Sequence, residues 1–277
     1  MASNEAGRLF IVSTPIGNLG DISFRAVETL RAVATVLAED TRHTRHLLDR
    51  YDIPTPLEAY HEHNEAKASA RAVDRLRNGE SLALVSDAGT PLLSDPGARL
   101  VSAAAAAGVP VVPIPGASAL LAALVASGLS AERFTFYGFP PRRGRERAAT
   151  LREVVASRHT SVLYEAPPRV AATLGEIAEA GASEREAAVA RELTKQFEEV
   201  RRGTVGVLAR YYAESAPRGE VVIVVAGAAE AEPDEGTLRE RAVAMRAAGL
   251  TPRDVARSLV AEAGAPRNLA YRLAHES

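Results

Sequence analysis

Three short stretches place glycine beside small or hydroxyl side chains, each directly after a β-branched or apolar run. They are residues 14–21 (TPIGNLGD), 87–95 (DAGTPLLSD) and 115–119 (PGASA). Glycine lets a backbone approach a ligand closely, and Ser or Thr hydroxyls donate or accept hydrogen bonds. Any one such stretch is also an ordinary tight turn between strand and helix. Three of them in the first half of the chain point to a bound small molecule. Neither G-x-G-x-x-G nor G-x-x-x-x-G-K-[ST] occurs, so the dinucleotide and triphosphate fingerprints both fail. Asp21, Asp87 and Asp95 stand where a polyphosphate would be repelled. A ligand with positive charge and ribose hydroxyls fits them better, and S-adenosylmethionine has both.

A second set of residues has the chemistry to act on an acceptor. Asp40 and Arg42 follow an apolar run; Asp40 can hold Arg42, and Arg42 can then grip a phosphate bidentately. The same pair also reads as an internal ion pair with a helix cap. His61 and Glu62 lie in an extended HEHN segment, where His61 and His63 alternate; with no cysteine and no third ligand in view, a metal site is not expected there. Glu192 and Lys195 sit in RELTK after another apolar run, and Lys67 and Lys195 are the only lysines in the chain. A general base for a weakly nucleophilic hydroxyl is available from Asp40, His61, Glu62 or Glu192, and residue types alone do not choose among them.

The elements that must carry these residues are read from periodicity. Apolar runs at 9–12, 34–37, 81–86 and 109–114 alternate with helical patterns at 23–31, 44–51, 64–77 and 96–107, which predicts an α/β sheet. Ligands in such sheets bind where strands end. A break near Ser127-Gly128 precedes a second strand set at 134–137, 161–164, 187–190 and 221–226. Residues 228–236 read as an acidic, Ala- and Pro-containing linker. The tail has no strand signal and reads as helices at 238–248, from Thr251-Pro252 to Gly264, and at 266–274. The expected organisation is an α/β domain over 1–127, a second over 128–229, and a linker with a helix-turn-helix-like all-α module over 230–277.

Composition narrows the function classes. The 277 residues are 47% hydrophobic and 25% charged, as in a folded globular chain, and contain no cysteine, which removes disulfides, thiolate metal sites and cysteine nucleophiles. Net charge is −2, so nucleic-acid binding requires local patches. Arg142, Arg143, Arg145 and Arg147 crowd one loop, and from Gly236 onward the arginines outnumber the acids. The polar start, residues 1–7, has no apolar signal region, and no stretch is long enough to span a bilayer, so a cytoplasmic location without membrane contact is expected.

These stretches together resemble the tetrapyrrole-methylase superfamily of S-adenosylmethionine-dependent methyltransferases. The matching segments are 14–21, Glu39-Asp40-Thr41-Arg42, 60–65, 86–91 with 94–97, 115–119, 137–139, 164–169, 191–195 and 218–220. They run in order over about residues 8–226; Ala166 and Pro168 depart from the Ser and His of the family pattern. The resemblance implies a two-domain class III methyltransferase fold with the donor as co-substrate in the cleft and no metal. It assigns donor contacts to Pro15, Gly17, Asp87, Ala88, Gly89, Thr90, Ser94, Asp95, Ser118 and Ala119, with Tyr164, Ala226 and Gly227 closing the pocket. It is similar above all to the branch that 2′-O-methylates a cytidine of 16S rRNA in the 30S subunit, and it implies a homodimer. Methylation of a corrin or diphthine precursor needs no arginine-rich loop and no helical appendage. A non-enzymatic nucleic-acid-binding protein built on a dead methylase core is a further alternative, which the intact 87–91 and 115–118 loops disfavour and which a donor-binding measurement separates.

Overall fold

The structure is a computed structural model that describes residues 7–229 and 234–276. Residues 1–6 of the polar start and 230–233 of the expected linker lie outside the described residues. The chain divides into two units, one ending at Gly227 and a helical one from Ala228.

In the first unit β1 (Leu9–Val12), β2 (Thr35–Ala38), β3 (Leu57–Ala59), β4 (Leu82–Val85) and β5 (Val111–Ile114) form a parallel sheet in the order β3-β2-β4-β1-β5. β2 and β4 are wholly buried, which is why they read as unbroken apolar runs. Side chains alternate between layers: Val12, Val36 and Val85 pack with α1 (Phe24–Ala32) and α2 (Thr41–Arg50), while Leu9, Leu37 and Leu84 pack with α3 (Glu65–Arg77) and α4 (Ala98–Ala106). Sequence periodicity does not reveal β3. It is a three-residue, half-buried edge strand just after Pro54 and Pro56, with little apolar signal to read.

The second sheet contains β6 (Phe134–Phe136), β7 (Thr160–Glu165), β8 (Glu186–Arg191), β9 (Glu199–Thr204) and β10 (Val221–Val225), in the order β6-β7-β10-β8-β9. Only β6 and β7 pair in parallel; β10 runs antiparallel to both β7 and β8. β9 is also absent from the sequence reading, because its sequence EVRRGT is a charged edge strand of the kind that resists further pairing. α6 (Arg145–Ala156), α7 (Val170–Ile177) and α8 (Val205–Glu214) share one apolar cluster with this sheet. α5 (Ala119–Ser127) covers the other face, where Leu120, Ala123 and Leu124 meet Val162, Ala188 and Val224. The helix that leaves the first sheet therefore roofs the second, and the change of layer falls before α5 rather than at residue 127.

The helical unit comprises α9 (Glu235–Ala247), α10 (Pro252–Ala263) and α11 (Arg267–Glu276) around Leu238, Val255, Leu259 and Leu273. Thr251 caps α10 by accepting from the Asp254 amide, and Gly264 ends it in the left-handed region. Arg239 bridges Glu235 and Glu276, and Arg272 also reaches Glu235, so two of its arginines fasten α9 to α11.

Candidate functional site: two adjoining cavities at the strand ends

The loops that leave β1, β2, β4 and β5 gather at the carboxyl edge of the parallel sheet. Thr14 and Gly89 exchange two backbone hydrogen bonds, at 2.8 and 3.1 Å, stitching the first loop to the third. Thr90 joins the set, its hydroxyl 3.0 Å from that of Ser13 and donating to the Ala117 carbonyl at 3.3 Å. The Asp40 amide donates to an Asp87 carboxylate oxygen at 3.0 Å, which couples the loop after β2. Gly89 has φ +81°, and a Cβ there would lie 3.2 Å from Ile16 Cγ2, so glycine is required for both conformation and approach. Leu92 and Ser94 also hold positive φ, at 74° and 71°, a strain that marks this loop as shaped for something other than stability.

Between these loops and the second sheet lies a cavity of about 390 Å³. Ile16, Glu39, Asp87, Ala88, Gly89, Thr90, Leu93, Ser94, Asp95, Ser118 and Ala119 line one side. Phe139, Tyr164, Glu165, Leu193 and residues Gly219 to Val222 line the other. The wall is mostly apolar, with carboxylates converging on it. Burial, reinforced by Asp95 and Asp87, raises the Glu39 pKa. Burial, reinforced by Asp87, also raises that of Asp95, against the hydrogen bond from Ser86. Three acids that crowd one another favour a cation as guest. Opposite them Tyr164 packs edge-on against Phe136 at 4.9 Å and tilted on Phe139 at 5.4 Å, which builds an aromatic wall.

A smaller cavity of about 180 Å³ adjoins the first and shares Ile16, Asp87, Ala88 and Glu220 with it. Its remaining lining is Thr14, Pro15, Gly17, Leu19, His43, Thr44, Leu47, Ser86 and Lys195. Lys195 Nζ donates to Glu192 at 2.9 Å and to Glu220 at 3.1 Å. Burial works against its charge, but these two carboxylates outweigh burial and raise its pKa. Its stem crosses Gly17 so closely that a Cβ there would sit 2.4 Å from Lys195 Cγ.

The expected residues divide accordingly. Asp87, Ala88, Gly89, Thr90, Ser94, Asp95, Ser118, Ala119 and Tyr164 come together around the larger cavity, and Pro15, Gly17 and Lys195 around the smaller one. Ala226 and Gly227 do not belong with them. β10 is antiparallel, so its first residues reach the cavity and its last lie beside the start of β8, where the Ala226 amide bonds to Glu186. Asp40 caps α2 and is paired with Arg42, whose guanidinium donates to it at 2.9 Å. Hydrogen bonds from the Arg42 side chain and backbone hold the Asp40 carboxyl far below its usual range, and the Arg42 side chain is 89% exposed. Asp40 thus caps α2 and holds Arg42 with its guanidinium exposed, and neither residue lines either of these two cavities. Nor do His61, Glu62 or Glu192; Glu192 stands one bond back, holding Lys195 and the Glu220 amide. Arg147 leaves the expected basic loop: it is buried, with its guanidinium on Glu176 and Thr173. Glu39, Glu165 and Glu220 line the larger cavity without being among the expected site residues, although each falls in a stretch that carries the family resemblance. Glu39 directly follows β2 at the carboxyl edge, a position the strand-end rule already marks. Glu220 lies in the 218–220 segment of the resemblance but not at the end of a predicted strand; the antiparallel pairing of β10 brings it to the cavity.

Glu39 and Asp95 give a pH signature. Their raised pKa values mean that they protonate in the ligand-free protein at higher pH than ordinary carboxylates do, and a cationic guest needs them ionised. Binding of a cationic donor is expected to weaken as pH falls, starting at a higher pH than ordinary carboxylates would set. The native state holds these protons more tightly than the unfolded chain, so the same two groups favour the ligand-free fold over that descent. Calorimetric titration across pH, with melting curves alongside, checks both signs; pH-independent affinity contradicts them.

The model of the tetrapyrrole (corrin/porphyrin) methylases matches residues 8–209, so the chain belongs to that family and is a methyltransferase. Within it, the chain is 45% identical over 273 residues to ribosomal RNA small subunit methyltransferase I of Synechocystis sp., covering 98% of both chains. It is 49% identical over 267 residues to the protein of the same name from Xylella fastidiosa, covering 96% of this chain and 98% of that one. Among solved structures, uroporphyrin-III C-methyl transferase from Thermus thermophilus complexed with S-adenyl homocysteine matches with a TM-score of 0.56 at 18% identity. That match covers 79% of this chain and 97% of the other, and it shows a shared fold.

Proposed function

We propose that the chain transfers a methyl group from S-adenosylmethionine to the ribose 2′-hydroxyl of a cytidine in 16S rRNA, acting on the 30S subunit. The observation that carries this reading is the pair of adjoining cavities, one lined by acids and an aromatic wall, the other apolar with His43, Thr44, Lys195 and Glu220 among its lining. Their names give the full-length relatives the same class of substrate. When bound, the donor supplies an electrophilic methyl on a sulfonium. Glu39, Asp87 and Asp95 hold its positive charge, and Tyr164 with Phe139 offers a face to the adenine. Ala88 and Asp87, which border both cavities, align the two partners, and alignment supplies much of the rate of such a displacement. Glu220 also borders both and takes the hydroxyl proton, while Lys195, 3.1 Å away, holds that carboxylate in place. Asp40 and Glu192 line neither cavity, whereas Glu220 borders both.

No group of three His, Asp or Glu residues fit to hold a metal occurs among the described residues, and the reading uses none. No helix among them is long and apolar enough to cross a membrane. A cytoplasmic homodimer, with the helical unit docking on rRNA, completes the proposal. Its test is labelled donor offered to 30S subunits and, separately, to a tetrapyrrole precursor: label enters the subunits, whereas label entering only the tetrapyrrole overturns it.

Arg142, Arg143 and Arg145 are exposed at the start of α6. Replacing all three by alanine is expected to weaken 30S binding and to lower the slope of log affinity against log salt by about 2–3, close to one unit per lost phosphate contact. An unchanged slope in filter binding across salt returns this loop to ordinary surface.

A further inference from the structure

Thr44 is 2% exposed, lines the smaller cavity, and its hydroxyl has no hydrogen-bond partner. Threonines inside helices usually satisfy the hydroxyl on the carbonyl four residues back. Thr29 does so on Arg25 at 2.7 Å and Thr150 on Glu146 at 3.0 Å. Thr44, on α2, does not. A buried unpaired hydroxyl is a cost to the folded chain, and a guest in the cavity relieves it. Threonine in a helix has two accessible χ1 states, so the hydroxyl can meet such a guest without backbone movement.

The position of Thr44 says which part of the guest it meets. Methyl transfer must occur where the two cavities join, at Asp87, Ala88 and Glu220, so the accepting ribose lies there. Thr44, His43, Leu19 and Leu47 line only the smaller cavity, beyond that junction. Leu19 and Leu47 give apolar surface for a flat ring, and Thr44 and His43 give polar atoms for its edge. Base and ribose of one nucleotide fit this division, provided the nucleotide is turned out of its stack, as enzymes that modify single nucleotides within RNA or DNA require.

We infer that the smaller cavity receives the extruded acceptor nucleotide and that the Thr44 hydroxyl reads the polar edge of its pyrimidine. This rests on the methyl-transfer reading above, and it adds a specificity residue outside the donor site.

The test is Thr44→Val, which keeps the shape and removes the hydroxyl, beside Thr44→Ser, which keeps the hydroxyl. Donor affinity is measured by calorimetry, stability by melting, and kcat and KM on 30S subunits carrying either cytidine or uridine at the methylated position. For Thr44→Val the expected result is donor affinity within about twofold of wild type and a melting temperature equal or higher, with preference for cytidine over uridine reduced at least about tenfold. Thr44→Ser restores the preference. Unchanged discrimination in Thr44→Val overturns the inference, and so does a loss of donor affinity matching the loss of activity. If wild type itself leaves 30S subunits unlabelled, the methyl-transfer reading fails first; a Thr44→Val protein indistinguishable from an active wild type sinks this inference alone.

Discussion

A Gly89→Val protein is expected to lose S-adenosylmethionine binding by at least about a hundredfold, or about 2.7 kcal/mol. Valine meets two obstacles at this position. Its Cβ lies 3.2 Å from Ile16 Cγ2 and 3.6 Å from the Ala117 carbonyl, on the lining of the larger cavity. The φ of +81° is strained for any β-branched residue, at a cost of about 1–3 kcal/mol. The loop relaxes by giving up part of its paired hydrogen bonds to Thr14, and the donor cradle goes with them. Melting temperature falls by several degrees while circular dichroism at 20–25 °C, about the usual working range, keeps its native shape. Unaltered donor affinity in a folded Gly89→Val protein contradicts the assignment of this loop.

Arg147→Ala is expected to cost about 3–5 kcal/mol of stability, the range for breaking a buried ion pair from one side. Arg147 Nε lies 3.0 and 3.1 Å from the two Glu176 oxygens, and a terminal nitrogen donates to Thr173 at 2.8 Å. Another lies 3.7 Å from Glu165, whose side chain is fully buried. Glu165 keeps Arg169 and the Thr173 hydroxyl after the substitution, but a carboxylate in that position loses half of its cationic shell. Lysine does not rescue it, because one ammonium cannot span three partners in a planar fork. The melting temperature is expected to fall by about 10 °C, and since Glu165 also lines the larger cavity, donor affinity falls with it. A shift of under about 2 °C would show the cluster to be surface-like.

How far residue types and spacing reach is visible in these two positions. Gly89 is identifiable because its stretch is one of three of the same kind at strand ends, which together point to a ligand where one alone would read as a turn. Arg147 is not: in sequence it is the fourth arginine of a crowded stretch, and only the packing of α6 on α7 separates it from Arg142, Arg143 and Arg145. The fully buried strands β2 and β4 announce themselves, whereas β3 and β9 hide as edges, one short and proline-flanked, the other charged. Ala226 and Gly227 are misplaced for a related reason. The resemblance places them at the pocket, yet the antiparallel pairing of β10 brings its start to the cavity and its end to the opposite side, and strand direction is set by partners far away in the chain. The same antiparallel turn conceals Glu220, which local pattern cannot bring to the cavities. Asp40 and Arg42 show the opposite limit: the pairing foreseen from their types is present, yet neither residue lines either of the two cavities.

The central claim is that the two cavities join a methyl donor to a ribose hydroxyl of RNA. Transfer of a labelled methyl group to 30S subunits, followed by alkaline hydrolysis of the extracted 16S rRNA, tests it most directly. A 2′-O-methyl group blocks attack of that oxygen on the neighbouring phosphate, so the account predicts label confined to an alkali-resistant dinucleotide with cytidine at its 5′ side. Label released in mononucleotides places the methyl on a base, and that result contradicts the account.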